Sequence, residues 1–263
     1  MKNTVFTGAA TAIITPFRNG QIDYEAFARL INWQVEQGID AIVVCGTTGE
    51  ASTLTDEEHR EAIRFAVETV NGRVPVIAGT GSNDTAYAIE LTQYACEVGA
   101  DAILLVTPYY NKATQKGLIA SFTAVADVST KPIILYNVPS RTGVNIEPAT
   151  YVELAKHPNI IGVKEASTDM GAVSALIDSC GGRWDVYAGN DDLTIPFLSL
   201  GGVGVISVLA NVLPGAVADV CRLWSEGKPR LAAARAARYH CLSRALFADT
   251  NPVPVKSALA MMG

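Results

Sequence analysis

Charged residues are scarce in this 263-residue sequence: Asp, Glu, Lys and Arg together make up 17% of it, where about 25% is usual for a globular protein. Hydrophobic residues account for 49%, which is enough for a large core. This composition excludes intrinsic disorder, which requires low hydrophobicity and high charge, and a coiled coil, which is rich in Glu, Lys and Arg. The net charge of -6 argues against a phosphate-binding surface, so we expect no nucleic-acid partner.

Signatures of metal binding and of disulfides are also missing. The five cysteines are odd in number and widely spaced, without a C-x-x-C pair, which predicts reduced and mostly buried thiols. His59, His157 and His240 are isolated in the sequence, and none has a partner at the spacing of metal ligands,. We therefore expect no metal site, and we interpret the three histidines as surface or helix-end residues.

Neither a signal peptide nor a membrane span is evident. Residues 1–8 lack a basic start followed by an apolar run, so we expect a cytoplasmic location. Residues 193–218 carry no charge and are long enough to cross a bilayer,. Glycines, prolines and an asparagine interrupt that stretch, however, and two short elements buried on both faces account for it equally well. We expect no membrane association.

Short apolar runs rich in Val and Ile alternate with longer amphipathic segments along most of the chain. Continuously apolar runs are typical of parallel strands that are covered on both faces. The amphipathic segments carry helix start signals at Asp23, Thr55 and Asp84 and end at glycines such as Gly38 and Gly99. The eight apolar runs are residues 9–16, 41–45, 74–78, 102–106, 132–138, 160–163, 186–188 and 203–208.

Eight units of strand then helix, in about 210 residues, predict an α/β fold of the (β/α)8 TIM barrel type, with additional C-terminal helices. A doubly wound open sheet is the alternative, but it usually has a glycine-rich turn after its first strand. Here the first apolar run leads into Thr15-Pro16-Phe17, which favours the barrel. We assign residues 1–213 to a catalytic barrel and residues 214–263 to a helical extension packed on it.

The catalytic groups of such barrels lie at the carboxyl ends of the strands and in the loops that follow. In this sequence those positions carry clusters of polar residues. The clusters are GTTGE at 46–50, TPYYN at 107–111, YNVPSRTG at 136–143 and GND at 189–191.

Lys164 is unusual among these polar residues because it directly follows an apolar run, and an unpaired buried ammonium is costly. It could pair with Glu165 or extend outward to solvent. Adjacent side chains of a strand point to opposite faces, which favours Lys164 inside the barrel and Glu165 outside. Burial there would lower the pKa of Lys164 from the usual value of about 10.4. The neutral amine is the form that attacks a carbonyl carbon.

Hydroxyl and guanidinium groups at the same barrel end could complete such a site. A Schiff base forms with loss of water and then loses a proton from carbon, and both steps need a proton carrier. Tyr136 and Tyr110 could serve, although either could equally lie in a core or an interface. Thr47 and Thr48 could also serve or simply cap their turn. Arg141 could be a surface residue, yet its guanidinium suits a carboxylate substrate.

Seven motifs at and beyond the strand ends are highly specific in combination: GTTGE (46–50), VIAGTGSN (76–83), VTPYYN (106–111), ILYNVPSRTG (134–143), IIGVKEAS (160–167), GVISV (204–208) and NPVPVK (251–256). With them the sequence resembles the dihydrodipicolinate synthase family, within the superfamily of pyruvate-dependent class I aldolases that includes N-acetylneuraminate lyase. The resemblance extends from residue 6 to about residue 256. It implies a cofactor-free condensation of pyruvate with L-aspartate 4-semialdehyde in lysine and diaminopimelate biosynthesis.

The resemblance also implies a role for each candidate residue. Lys164 forms the Schiff base with pyruvate, and Tyr136 is the general acid and base. Thr47 links Tyr136 to Tyr110, which in the family reaches into the site of a neighbouring subunit, so we expect a homo-oligomer of two or four subunits. The implied substrate-binding residues are Thr48 for the carboxylate of pyruvate, Arg141 for that of aspartate semialdehyde, and Gly189 and Ile206 along the pyruvate pocket.

Two alternatives stay open on the sequence. N-acetylneuraminate lyase and the 2-keto-3-deoxy sugar acid aldolases would use the same lysine, although Arg141 suits a short carboxylated aldehyde better than a polyhydroxylated chain. The other alternative is a non-catalytic homologue that kept the pocket. It arises because the family usually continues with further helix beyond the position of Gly263, although the full set of proton-carrying side chains argues for an enzyme.

The feedback site of lysine-inhibited family members is only partly matched in this sequence. Where those members carry a histidine and a glutamate that hold lysine, this chain has Asp56 and Tyr87. The matched positions, a possible remnant of the allosteric site, are Ser52, His59, Asn83 and Tyr109.

Because two groups that hold the inhibitor are replaced, we expect feedback by L-lysine to be weak or absent. Titration of the condensation activity with L-lysine measures this. Half-inhibition at a sub-millimolar concentration would contradict the prediction.

Overall fold

The computed structural model describes residues 4–180 and 182–263; residues 1–3 of the stretch inspected for a signal peptide lie outside them. The strands are β1 (Gly8–Ala12), β2 (Phe17–Arg18), β3 (Gln21–Ile22), β4 (Ala41–Val44), β5 (Val76–Gly79), β6 (Ala102–Val106), β7 (Ile133–Asn137), β8 (Ile160–Glu165), β9 (Asp185–Ala188) and β10 (Gly204–Ser207). The helices are α1 (Tyr24–Glu36), α2 (Asp56–Val70), α3 (Thr85–Glu97), α4 (Gln115–Val128), α5 (Pro139–Thr142), α6 (Pro148–Leu154), α7 (Met170–Ser179), α8 (Thr194–Leu200), α9 (Pro214–Ser225), α10 (Pro229–Ala237), α11 (His240–Ala245) and α12 (Val253–Met262). Short 3-10 turns lie at Ala51–Thr53, Asp191–Leu193 and Leu209–Asn211.

Eight strands of the described chain close into a parallel barrel in the order β1-β10-β9-β8-β7-β6-β5-β4, and β1 also pairs with β4. This confirms the predicted (β/α)8 barrel over the doubly wound sheet. Each barrel strand overlaps one predicted apolar run. The first run is longer than its strand because Ile13 and Ile14 are buried but lie beyond the end of β1.

The barrel strands bury both faces, and this explains their continuously apolar sequences. One hydrophobic layer lies between the strands and the surrounding helices. The other fills the barrel interior and includes Ala10, Val43, Ile134 and Ile206. Such a filled interior restricts the open space of a barrel to its carboxyl end, where the loops begin.

Local sequence signals set the helix boundaries. Asp23 caps α1 by accepting a hydrogen bond from the Ala26 amide at 3.0 Å, and Asp84 caps α3 in the same way. Thr55 and Glu58 form a reciprocal capping box at the start of α2. The predicted start signals are therefore confirmed, and each cap satisfies backbone amides that a helix leaves unpaired.

The uncharged stretch at residues 193–218 folds into α8, β10 and the beginning of α9, as its interpretation as short buried elements predicts. In the described part of the chain, every helix is too short or too polar to cross a membrane. Helix α9 packs against β1 and β10, and α10 packs against α9. These contacts cross the predicted boundary between residues 1–213 and 214–263, and that division stays a prediction.

Closure of the barrel depends on a glycine pair. Gly8 of β1 is the register partner of Gly204 of β10. A Cβ atom added at Gly204 would lie 2.0 Å from the Gly8 carbonyl oxygen. This is a steric clash that only a shift of the backbone could relieve.

We expect Gly204→Ala to lower the free energy of unfolding by about 1–3 kcal/mol, the usual cost of overpacking. Gly117→Ala is the matched control, because Gly117 lies in α4 and its added Cβ would be 3.4 Å from that of Ala113; this change should be neutral or stabilise by up to about 1 kcal/mol. Denaturant unfolding measures both, and equal stability of the two variants would contradict the prediction.

Candidate active site

Lys164 lies inside the barrel, opposite Tyr136. The two residues are register partners on β8 and β7. Lys164 is 5% exposed, and its Nζ atom lies 4.3 Å from the centre of the Tyr136 ring. The alternation of side chains along β8 therefore places the lysine as the sequence predicts.

Glu165, the next residue of β8, faces away from the barrel interior and is also buried. Its carboxylate accepts hydrogen bonds from Asn137 Nδ2 at 3.0 and 3.1 Å, from the Tyr151 hydroxyl at 2.7 Å and from the Ser167 amide at 2.8 Å. Burial raises the pKa of Glu165, and these hydrogen bonds oppose the rise,. Glu165 is thus engaged outside the barrel, which removes the alternative that it pairs with Lys164.

Burial lowers the pKa of Lys164 to about 8, because a charged ammonium is poorly solvated there,. The Asp191 carboxylate raises this pKa and the Arg141 guanidinium lowers it further. Asp191 is held by the Ser207 hydroxyl and by the amides of Val208 and Leu209, each amide at 3.0 Å. The neutral form of the lysine is therefore populated near neutral pH, although the charged form predominates, and a fixed carboxylate acts on it.

The Tyr136 hydroxyl is suited to donate a proton at neutral pH. Burial raises the pKa of Tyr136, while the Arg141 guanidinium and the nearby Thr47 side chain lower it. The side chain stays protonated at pH 7, because its raised pKa lies above the ordinary tyrosine value of about 10. Thr47 follows β4 and Tyr136 is the last residue but one of β7, so two separate units of the barrel meet at this hydroxyl.

Two cavities share Tyr136, Val138 and Arg141 as lining residues. The first, of about 570 Å³, also contains Lys164. The second, of about 200 Å³, lies on the Thr47 side of Tyr136. The other candidate residues that line the first cavity are Thr48 and Gly189, and those that line the second are Ser52 and Tyr109.

Gly189 lines the cavity that contains Lys164, whereas Ile206 lies in the barrel interior and lines neither cavity. Gly189 follows β9, and a Cβ atom there would lie 2.9 Å from Ala166 Cβ. Ile206 is fully buried on β10 and belongs to the interior cluster that contains Tyr136. The roles of Gly189 and Ile206 in binding pyruvate stay predictions.

Tyr110 is the one candidate catalytic residue that is not brought to the described cavities. Its side chain is 89% exposed, and its backbone has φ of 71°. The role implied for it requires a second subunit, so that role stays a prediction. Asn83, of the possible allosteric set, accepts a hydrogen bond at its carbonyl from Asn111 Nδ2.

His59 differs from its sequence interpretation. It lies near the start of α2, as a helix-end residue should, but its side chain is buried rather than at the surface. Its Nε2 atom is 2.8 Å from the Gly79 carbonyl oxygen, and burial lowers its pKa. Asp56 and Tyr87, the positions that differ from lysine-inhibited family members, lie close together, and the Arg60 and Tyr87 side chains both lower the pKa of Asp56. Asp56 also binds Arg60 at 2.8 and 2.9 Å.

The five cysteines all lie in the described chain and are free; three are buried and Cys241 is exposed, as predicted. Within residues 4–180 and 182–263, no three of the His, Cys, Asp and Glu side chains are placed to hold a metal ion together. The absence of a metal stays a prediction.

Sequence reasoning missed Asn251 and Asp191 as parts of the site. Asn251 follows α11, yet its Nδ2 atom donates to Thr48 Oγ1 at 2.9 Å. Its carbonyl oxygen accepts from Arg141 Nη2 at 3.2 Å. The NPVPVK and GND motifs were the available signals, but neither indicates which side chain it contacts.

The buried charge of Lys164 should destabilise the fold. A pKa of about 8 in the folded chain, against 10.5 in the unfolded chain, corresponds to about 3 kcal/mol while the lysine is charged,. Below pH 8 this penalty is complete. Between pH 8 and 10.5 the unfolded chain binds more protons than the folded one, so the free energy of unfolding rises with pH and the penalty disappears.

We therefore expect Lys164→Met to raise the free energy of unfolding at pH 7 by about 3 kcal/mol, with a gain that shrinks between pH 8 and 10.5. Lys116→Met, at an exposed position of α4, is the control and should change little at any pH. Denaturant unfolding from pH 7 to 10.5 measures both. A Lys164→Met protein no more stable than wild type at pH 7 would contradict this account.

Comparison with known proteins agrees with this geometry. The family model described as "Dihydrodipicolinate synthetase family" matches residues 5–263. The 4-hydroxy-tetrahydrodipicolinate synthases of Nitratidesulfovibrio vulgaris (strain DP4) and Thermoanaerobacter sp. (strain X514) are 53% and 51% identical; the matches cover 98% of this chain and 89% and 88% of those proteins. The crystal structure of dihydrodipicolinate synthase from Aquifex aeolicus has a TM-score of 0.97 and 48% identity, covering 98% of this chain and 88% of that one. The chain belongs to the dihydrodipicolinate synthetase family.

Proposed function

We propose that the protein condenses pyruvate with L-aspartate 4-semialdehyde to give 4-hydroxy-tetrahydrodipicolinate, in the biosynthesis of diaminopimelate and lysine. The observation that carries the proposal is the buried Lys164, with its lowered pKa, facing Tyr136 at the carboxyl end of the barrel. The family of the chain and the names of its relatives support the same reaction.

In the first half of the reaction, neutral Lys164 Nζ attacks C2 of pyruvate. With a pKa of about 8, about one lysine in ten is neutral at pH 7, against fewer than one in a thousand at the ordinary value,. The Tyr136 hydroxyl donates a proton to the departing hydroxyl, water leaves, and an iminium bond to Nζ results. The tyrosinate then removes a proton from C3, which gives an enamine. Thr48 Oγ1 binds the pyruvate carboxylate.

In the second half, the enamine carbon attacks the aldehyde carbon of aspartate semialdehyde and forms the new C–C bond. Tyr136 protonates the resulting alkoxide. The amino group of the second substrate then attacks C2, displaces Lys164 Nζ and closes the ring, so that one water is released overall. Arg141, which lines both cavities, binds the carboxylate of the semialdehyde,.

A sugar acid aldolase would use the same lysine and is the second candidate. Arg141 favours the semialdehyde, because its guanidinium lines both cavities and matches a carboxylate rather than a row of hydroxyls,. A purely binding protein would have no use for a protonated Tyr136 hydroxyl facing the lysine, with the Thr47 side chain acting on it. Both arguments favour the synthase reaction.

The reaction requires no cofactor beyond the covalent lysine adduct, and its soluble substrates suit a cytoplasmic location. We also propose a homo-oligomer, a dimer or tetramer, in which Tyr110 of one subunit reaches the Thr47 of another. The 89% exposure of Tyr110 supports this arrangement. The mass of the assembly in solution tests it, and a monomer with full activity would contradict it.

The decisive experiment incubates the protein with pyruvate and borohydride, followed by intact-mass measurement and peptide mapping. We expect one reduced pyruvyl adduct per chain, located on Lys164. Turnover with aspartate semialdehyde but not with N-acetylmannosamine then separates the two candidate reactions. An unmodified Lys164 at saturating pyruvate would refute the Schiff-base mechanism.

Tyr136→Phe should lower kcat by about 10²- to 10⁴-fold, the usual contribution of a general acid and base. Tyr94→Phe is the matched control, because Tyr94 lies on α3 with its ring 5.1 Å from the Arg60 guanidinium and does not line either cavity. Steady-state kinetics with both substrates measures the difference, and a Tyr136→Phe protein within threefold of wild type would rule out the assigned role.

A further inference from the structure

The NPVPVK motif, at residues 251–256, has no part in the reaction proposed above, yet it contacts the candidate active site. Two of its side chains contact the GTTGE loop that follows β4. Asn251 Nδ2 donates to Thr48 Oγ1 at 2.9 Å, and Lys256 Nζ forms an ion pair with Glu50. Lys256 Nζ also lies 4.5 Å from the centre of the Phe17 ring. The motif is therefore attached to the loop at both of its ends.

The direction of the hydrogen bond between Asn251 and Thr48 decides what Thr48 can do. A threonine hydroxyl has one proton to donate and lone pairs that accept. Because Oγ1 accepts the amide proton of Asn251, its own proton is left for another acceptor. Thr48 lines the cavity that contains Lys164. A carboxylate bound there would therefore accept a hydrogen bond from the Thr48 hydroxyl.

We propose that Asn251 is a positioning residue that fixes the Thr48 hydroxyl as a hydrogen-bond donor to the carboxylate of pyruvate. The proposal rests on the proposed function, because it presupposes that pyruvate binds beside Lys164. Asn251 acts through Thr48 and requires no contact of its own with the reacting atoms.

A second contact places the same residue between the two carboxylate-binding groups. Arg141 Nη2 donates to the backbone carbonyl oxygen of Asn251 at 3.2 Å. Asn251 therefore contacts Thr48 by its side chain and Arg141 by its backbone. Substitution of the side chain leaves the Arg141 contact available, so the two links can be tested separately.

The amide oxygen of Asn251 supports a functional rather than a structural role. The residue is 5% exposed, and within the described chain Oδ1 is buried without a hydrogen-bond partner. A buried amide that served only the fold would pair both of its polar atoms.

The test compares Asn251→Asp and Asn251→Leu with wild type, using the pyruvate concentration that gives half-maximal borohydride trapping on Lys164. N251D has nearly the same shape but accepts the proton of Thr48, which turns the hydroxyl away from pyruvate. We expect it to raise the half-saturating concentration by about 10- to 100-fold, the effect of losing one hydrogen bond to a charged group. N251L frees the hydroxyl to rotate, so we expect a smaller increase. At saturating pyruvate both variants should reach the wild-type extent of trapping.

A double-mutant cycle distinguishes action through Thr48 from direct repulsion by the introduced carboxylate. In a Thr48→Val background, N251D should raise the half-saturating concentration by less than threefold, because the hydroxyl that it redirects is already absent. Fold-changes that multiply across the cycle would overturn the proposal. Asn32→Asp makes the same chemical change on the surface of α1, where Asn32 Oδ1 accepts from Arg73, and should leave trapping unchanged.

The remaining outcomes are also decisive. If Thr48 instead donates to the amide oxygen of Asn251, N251D preserves that bond. A half-saturating pyruvate concentration within twofold of wild type would then overturn the positioning role of Asn251 and leave the proposed function intact. If wild type forms no adduct on Lys164, the proposed function fails and this role of Asn251 fails with it. Loss of trapping at all pyruvate concentrations in a folded N251D protein would assign Asn251 to chemistry rather than to carboxylate binding, and so would also overturn it.

Discussion

Parallel pairing of β7 with β8 puts Tyr136 opposite Lys164 inside the barrel and Asn137 opposite Glu165 outside it. The outer pair is hydrogen-bonded and completely enclosed by protein. A slip of one residue would turn the lysine out of the barrel and the glutamate in, leaving both charges without their partners. One register therefore fixes the spacing of the two reactive groups and the bonds that hold them there.

Electrostatics at the barrel end has two opposing parts. Removal of water from Lys164 favours its neutral form, whereas the Asp191 carboxylate favours the charged form. The Asp191 carboxylate accepts hydrogen bonds from the Ser207 hydroxyl and two backbone amides, which hold it in place and favour its charged form. The lysine is thus held close to its titration point, so it can be neutral when it attacks a carbonyl and positive when it carries an iminium.

Sequence patterns predict what depends on neighbours along the chain, and much less of what depends on tertiary contacts. The strands follow from apolar runs, and the position of Lys164 follows from the twofold period of β8, because both are local properties. The burial of His59 was missed because its acceptor is the Gly79 carbonyl of another unit. Asn251 and Thr48 are separated by 203 positions, and no periodicity can relate them. The role of Tyr110 requires a surface that a single chain does not contain.

The hydrogen bond between Asn251 and Thr48 also ties substrate binding to closure of the barrel. Lys164 and Tyr136 face each other on consecutive strands, so local pairing of β7 with β8 is enough to bring them together. Thr48 and Asn251 lie 203 positions apart, and closing so long a loop is slow compared with forming one strand-helix unit. A partly folded barrel can therefore juxtapose its lysine and tyrosine before the Thr48 hydroxyl is oriented. Pyruvate affinity thus reports whether the barrel has closed, whereas the pairing of Lys164 with Tyr136 does not.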